Sequence, residues 1–219
     1  MSPDSLRKMR AAVYGAPHTK ALVTLPLAAL LWVVVFLWRP LPFFPLMAMA
    51  TLLLGVIAIW IRGTDMFREG FRISDLCIGI GSAVLLYMIF WGGGIIANVI
   101  LPFAEEGVDD VYLLRGDMNP FLIAGLQILI ISPCEELYWR GLIQWTFHRY
   151  LSQRTAWVLG TAAYGGVHLL TGNPMLFIAA VVAGGFWGAL YAWRRRLLPV
   201  AVSHAVWGVI VLLVVPLQN

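Results

Sequence analysis

Pro133-Cys134-Glu135-Glu136-Leu137-Tyr138-Trp139-Arg140-Gly141 follows the apolar run 121–131 and leads into a helix-favouring segment that reaches Tyr150. Two adjacent carboxylates and an arginine therefore stand at or inside the end of a membrane span. A charge at the centre of a spanning helix costs roughly 2.5–3.5 kcal/mol, and less near the boundary. Three such charges in so short a stretch need something to offset them. Helical spacing supplies part of it: Glu136 and Arg140 are four apart on one face, in the acid-before-base order that favours an ion pair. Glu135 points about 100° away and finds no such partner on its own helix. An unpaired carboxylate inside a membrane reads as a functional group by default. The competing reading is a pair of interfacial, solvated glutamates.

The surroundings of this stretch are those of a membrane protein. The 219-residue chain is 61% hydrophobic and 12% charged, with a mean hydropathy of +0.84. That excludes a soluble globular chain and predicts an all-α, polytopic membrane helix bundle. No span is followed by enough polar sequence to build a soluble domain, so residues 1–219 read as one membrane-embedded domain. The net charge of +4 falls between apolar runs, where it sets membrane orientation. It gives no reason to expect nucleic acid as a partner; the partner it implies is the lipid bilayer. Cys77 and Cys134 lie in or beside apolar runs, which argues against a disulfide framework. Cys134 reads as a small buried hydrophobe rather than a thiol nucleophile.

Working outward, residues 1–20 form a basic leader (Arg7, Lys8, Arg10, Lys20) of cytoplasmic character. Spans follow at 21–38 and 41–61, separated by Arg39-Pro40; the first is too long for a signal-peptide core and lacks a clear cleavage site. The connector 62–75 carries Phe67 and Phe71 in a spacing that suits a short interfacial helix. The stretch 76–103 is longer than one span requires, and Gly92-Gly93-Gly94 predicts a kink or break within it. An acidic loop follows, with Glu105, Glu106, Asp109, Asp110 and Asp117 against Arg115. The fourth span begins near Phe121, the fifth covers 155–170, and the turn Thr171-Gly172-Asn173-Pro174 closes it. The sixth covers 175–193, where Gly184, Gly185 and Gly188 permit close helix contact. After Arg194-Arg195-Arg196, the seventh covers 198–217. With the N-terminus in the cytoplasm and the C-terminus outside, nearly every basic connector falls inside and the acidic loop outside.

Two histidines also occupy apolar spans, His168 in the fifth and His204 in the seventh. A carboxylate and an imidazole can together hold and deprotonate a water, and a second imidazole can stabilise an oxyanion. Glu135, His168 and His204 are therefore a minimal set for peptide hydrolysis without a covalent intermediate. The same three side chains are alternatively a ligand set for a divalent metal such as zinc, although the compact H-E-x-x-H spacing is absent. Depth counting puts Glu135 and His204 each about 9 Å from the inner face, whereas His168, counted from Thr155, lies about 20 Å in.

Glu135-Glu136-x-x-x-Arg140, then Tyr164-x-x-x-His168, then a histidine in the last span resembles the CPBP family of intramembrane proteases, which includes CAAX proteases and bacteriocin-processing enzymes. The resemblance covers the region 121–208. It implies that Glu135 is the general base, that His168 is its partner and that His204 helps to stabilise the oxyanion. Glu136 and Arg140 would orient the site, and Tyr164 stands where the family usually has Phe. Gly208 departs from the pattern, because the family usually has Asn or a related polar residue there; Ser203 is one candidate substitute donor. The substrate implied is a membrane-associated or lipidated protein or peptide, cut near the cytoplasmic face of a prokaryotic cytoplasmic membrane. Two other functions stand beside the peptidase: a scaffold or immunity protein that keeps the fold, which Gly208 favours, and a proton-coupled transporter. No internal inverted repeat supports the last.

Overall fold

The computed structural model describes residues 17–217; Arg7, Lys8 and Arg10 of the basic leader lie outside them. The described residues form helices and no strand. This is the outcome expected for apolar chain in lipid, where every backbone N–H and C=O must be bonded within its own segment. Eight helices carry the fold: α1, Lys20–Trp38; α2, Phe43–Arg62; α3, Ile73–Ile100; α4, Ala104–Leu113; α5, Pro120–Tyr150; α6, Gln153–Leu169; α7, Pro174–Arg194; and α8, Leu197–Val214.

Six of them, all but α4 and α6, are long and apolar enough to cross a membrane. At 17 residues, α6 falls short of that measure, and its two ends are tied to neighbouring helices. At one end Gln153 donates to the Ala192 carbonyl at 3.0 Å. At the other, the turn after α6 brings Asn173 to within 2.8 Å of the Gly107 carbonyl on α4. Between them, α6 lies antiparallel along α7, so close that a Cβ at Gly184 would stand 2.6 Å from the Tyr164 ring and one at Gly165 would stand 2.7 Å from Val181. The small residues of α7 thus permit the close approach that their spacing predicts.

Three expectations are corrected. Gly92-Gly93-Gly94 does not break the third span, because α3 is one continuous helix of 28 residues. A glycine in a helix costs about 1 kcal/mol, whereas a break within hydrocarbon leaves backbone groups unbonded at several kcal/mol each. The acidic loop is largely helix, α4, with Glu105 and Glu106 in its first turn, where carboxylates complement the helix dipole. In the connector after α2 the interfacial helix shrinks to one 3₁₀ turn, Thr64–Phe67, with Phe67 and Phe71 exposed.

α5 sits at the centre, packed against α2, α6 and α8, and α3 packs along α8. Cys134 fits against Gly55 of α2, where a Cβ would meet its sulfur at 3.1 Å, in keeping with a packing role. Asp75 in the first turn of α3 is fully buried and takes a two-pronged bond from Arg196, at 2.9 Å from Nε and 2.6 Å from Nη2. The same guanidinium reaches the carbonyls of Glu69 and Gly70 and the Glu69 carboxylate. One arginine thereby ties the start of α8 to the connector and to α3.

Candidate active site

α5 is a single helix with two π-helical stretches, Gln127–Ile131 and Trp139–Gln144, on either side of the regular segment Ser132–Tyr138. In the first, the Ser132 N–H bonds back to the Gln127 carbonyl, five residues earlier. The next residue, Pro133, has no N–H to give, so the widened turn absorbs the proline without breaking the helix. In the second, the Trp145 N–H bonds to the Arg140 carbonyl. The Gly141 carbonyl, freed from its usual partner, accepts from Arg62 instead. The carboxylates are thus carried on a segment whose rotation is offset at both ends.

Glu136 and Arg140 form the ion pair that their spacing predicts, Nη1 to Oε1 at 3.0 Å, with both side chains buried. Arg140 also donates to the Gly184 carbonyl at 3.0 Å and lies over the rings of Tyr164 and Trp187. His204 of α8 joins the same oxygen, Nδ1 to Glu136 Oε1 at 2.8 Å. A carboxylate oxygen only accepts, so Nδ1 carries the proton and Nε2 is the nitrogen left for other work. The ring is stacked on Trp187 at 3.9 Å. The second oxygen of Glu136, Oε2, is buried without a partner among the described residues.

Glu135 points elsewhere on the helix, as periodicity requires, and accepts from the Tyr164 hydroxyl at 3.1 Å. Tyr164 links it to His168: the Tyr164 carbonyl accepts from His168 Nδ1 at 2.8 Å. The structure gives His168 no direct bond to Glu135; its Nε2 accepts from the indole of Trp32 on α1 at 3.1 Å. Glu135, His168 and His204 are each about 95% buried, turned inward from lipid.

The depth discrepancy of His168 disappears because α5, the fourth span, continues past the level assumed for its end. Glu135 lies fifteen residues before Tyr150, and His168 fifteen after Gln153, on helices joined by a two-residue turn. Each is therefore about 22 Å from the hairpin, at the same level.

A cavity of about 380 Å³, at the end of the bundle that carries the connector after α2, is lined by Glu136 but not by Glu135, His168 or His204. Met66, Phe67, Phe71 and Leu198 line it together with Pro133, Leu137 and the charged Glu69 and Arg196. Among the described residues, no three His, Cys, Asp or Glu side chains group closely enough to hold a metal ion. His168 has given both ring nitrogens to Tyr164 and Trp32, so the zinc set Glu135, His168 and His204 does not assemble in this arrangement.

Residues 117–210 match the model of a protease family described as type II CAAX prenyl endopeptidase Rce1-like. That segment is similar to the CAAX-protease family. No curated protein and no solved structure matches the chain. The matched segment includes α5, α6, α7 and most of α8, and with them all six of the singled-out site residues. With its apolar helices, this family match makes the chain an integral membrane protein.

Within the matched segment the departure at Gly208 has a structural counterpart. A Cβ on Gly208 would stand 2.5 Å from the amide nitrogen of Gln127, whose buried side chain occupies that space and donates to Ser132 at 2.9 Å. Ser203 is engaged elsewhere, accepting from the Trp187 indole at 3.3 Å. Sequence reasoning passed over Gln127, although a lone amide within the apolar run 121–131 was the available signal. Trp32 was also missed, and nothing in its apolar surroundings marks it out.

Proposed function

We propose that this protein is an intramembrane endopeptidase that hydrolyses a peptide bond of a membrane-associated substrate by activated water. The observation that carries the reading is the meeting of two buried carboxylates and a guanidinium on α5 with an imidazole on α8, where Glu136 lines a cavity. Burial of so many ionisable groups is costly unless they work together. Glu135, held on one oxygen by Tyr164, takes the proton of a water with the other. The water oxygen adds to the scissile carbonyl, and the proton passes to the leaving amine as the C–N bond breaks. His204 presents Nε2 to the developing oxyanion, while Glu136 and Arg140 hold that ring and the α5–α7 contact in place. His168 acts on Glu135 through Tyr164. The mainly apolar mouth of the cavity suits an apolar or lipidated chain lying near the membrane surface, such as a prenylated C-terminal peptide.

The basic connectors gather at the end where the cavity opens, and the acidic α4 lies at the other. By the positive-inside rule the opening faces the cytoplasm, and the substrate enters from that side. Reconstituted protein given an internally quenched, farnesylated Cys-aliphatic-aliphatic-X peptide tests the reaction. Cleavage by the wild type, with a loss of about 10²-fold or more in Glu135→Gln at unchanged thermal stability, is the expected result. Equal cleavage by the two proteins would remove Glu135 from the mechanism.

A further inference from the structure

His168 has a more tightly specified state than its place in an apolar helix requires. The Tyr164 carbonyl can only accept, so the proton of Nδ1 points at it. The Trp32 indole can only donate, so Nε2 must present its lone pair. Exchanging the two would set N–H against N–H on one side and lone pair against lone pair on the other. The partners therefore select one tautomer and one ring rotation, a choice usually left to be inferred. The edges of Trp32 and Phe36 and the tilted Tyr164 ring enclose the imidazole. Packing does not force the indole into this bond: the indole nitrogens of Trp139 and Trp207 are buried with no partner among the described residues. Trp32 itself is fully buried and comes from α1, outside the stretch that matches the family.

We propose that Trp32 is a positioning residue of the site: its indole N–H locks His168 into the Nδ1-protonated tautomer and so fixes the Tyr164 backbone and hydroxyl that hold Glu135. This inference rests on the hydrolytic role given above to Glu135. The chain of contacts is short. Trp32 holds His168, His168 holds the Tyr164 carbonyl, and the hydroxyl of that tyrosine holds the carboxylate. Without the indole donor the imidazole keeps one anchor in place of two. It is then free to turn, and the second tautomer becomes accessible.

The test is ¹⁵N NMR of histidine-labelled protein in lipid nanodiscs, with the His168 signals identified by their loss in His168→Gln. Wild type should show a protonated Nδ1 and an unprotonated, hydrogen-bonded Nε2. Trp32→Phe keeps an aromatic ring and removes the donor, so the Nε2 resonance should move and the second tautomer should appear. Phe36→Leu, which alters a ring contact but no hydrogen bond, should leave both nitrogens as they were. On the farnesylated peptide, Trp32→Phe should lower kcat on the order of 10-fold with KM within about two-fold, and Phe36→Leu should not. A wild-type His168 protonated on Nε2 overturns the proposal even if Trp32→Phe fails to fold. So do unmoved nitrogen resonances in Trp32→Phe, or a kcat that is unchanged or raised. If the wild type cleaves no peptide, the hydrolytic reading fails, while the nitrogen resonances still decide whether Trp32 sets the tautomer.

Discussion

Position 208 shows how a single side chain's space can be filled from another helix. A polar residue added there meets the Gln127 amide, which is itself buried and bonded to Ser132. Gly208→Asn, which from the sequence alone promises a gain of function by restoring a donor, should instead destabilise the protein. Overpacking a filled interior costs about 1–3 kcal/mol, and moving Gln127 aside also breaks its bond to Ser132. Thermal denaturation of Gly208→Asn, Gln127→Ala and the double variant forms a cycle that isolates the coupling. The double variant should be more stable than the sum of the two single losses, since the smaller residue at 127 frees the space. Strict additivity would mean that the two positions do not share that space.

At the scale of elements, the bonds between helix ends matter as much as the helices. Arg196 meets Asp75, Glu69 and two carbonyls at the start of α8, the helix that carries His204. Asp75 is fully buried, whereas Asp65 and Arg68 form an exposed pair only a few residues away. Removing one partner of a buried pair leaves the other uncompensated, and exposed pairs contribute little. Asp75→Asn should therefore lower Tm by several degrees and reduce His204-dependent cleavage with it, while Asp65→Asn should change neither. Matching Tm values for the two variants would show that the lock adds nothing to the bundle. The π-helical stretches of α5 belong to this scale as well. They seat Pro133 without a break and free the Gly141 carbonyl for Arg62.

For the whole molecule, the count of crossings decides the side on which the chain ends. Six helices qualify as spans by length and composition, and six crossings would return both termini to one side. α6 joins α7 near Ala192 at one end and, through the turn after it, α4 at the other; we propose that it crosses as well, which would make seven passages and put the termini on opposite sides. With the basic end facing the cytoplasm, a reporter fused after Asn219 should be active outside and one at the N-terminus inside. A C-terminal reporter active in the cytoplasm would reduce the crossings to six and take α6 out of the membrane.

Much of this was legible in the chain itself. Long apolar runs in a solvent without water must become helices, so 61% hydrophobic composition determined an all-helical membrane bundle before any contact was known. Local spacing determined the Glu136–Arg140 pair, because residues four apart on one helix meet whatever surrounds them. Glu135, His168 and His204 stood out because ionisable groups in apolar runs require a reason. Other features depended on partners distant in sequence, which periodicity does not encode. His204 choosing Glu136, Trp32 capping the His168 lone pair, Gln127 filling the space at Gly208 and Arg196 closing on Asp75 all join different helices. The glycine run in α3 looked like a break because glycine disfavours helix in water, and it stayed helical because lipid offers the broken backbone nothing to bond. A sequence determines which faces and which charges each helix presents; only packing decides which of them meet.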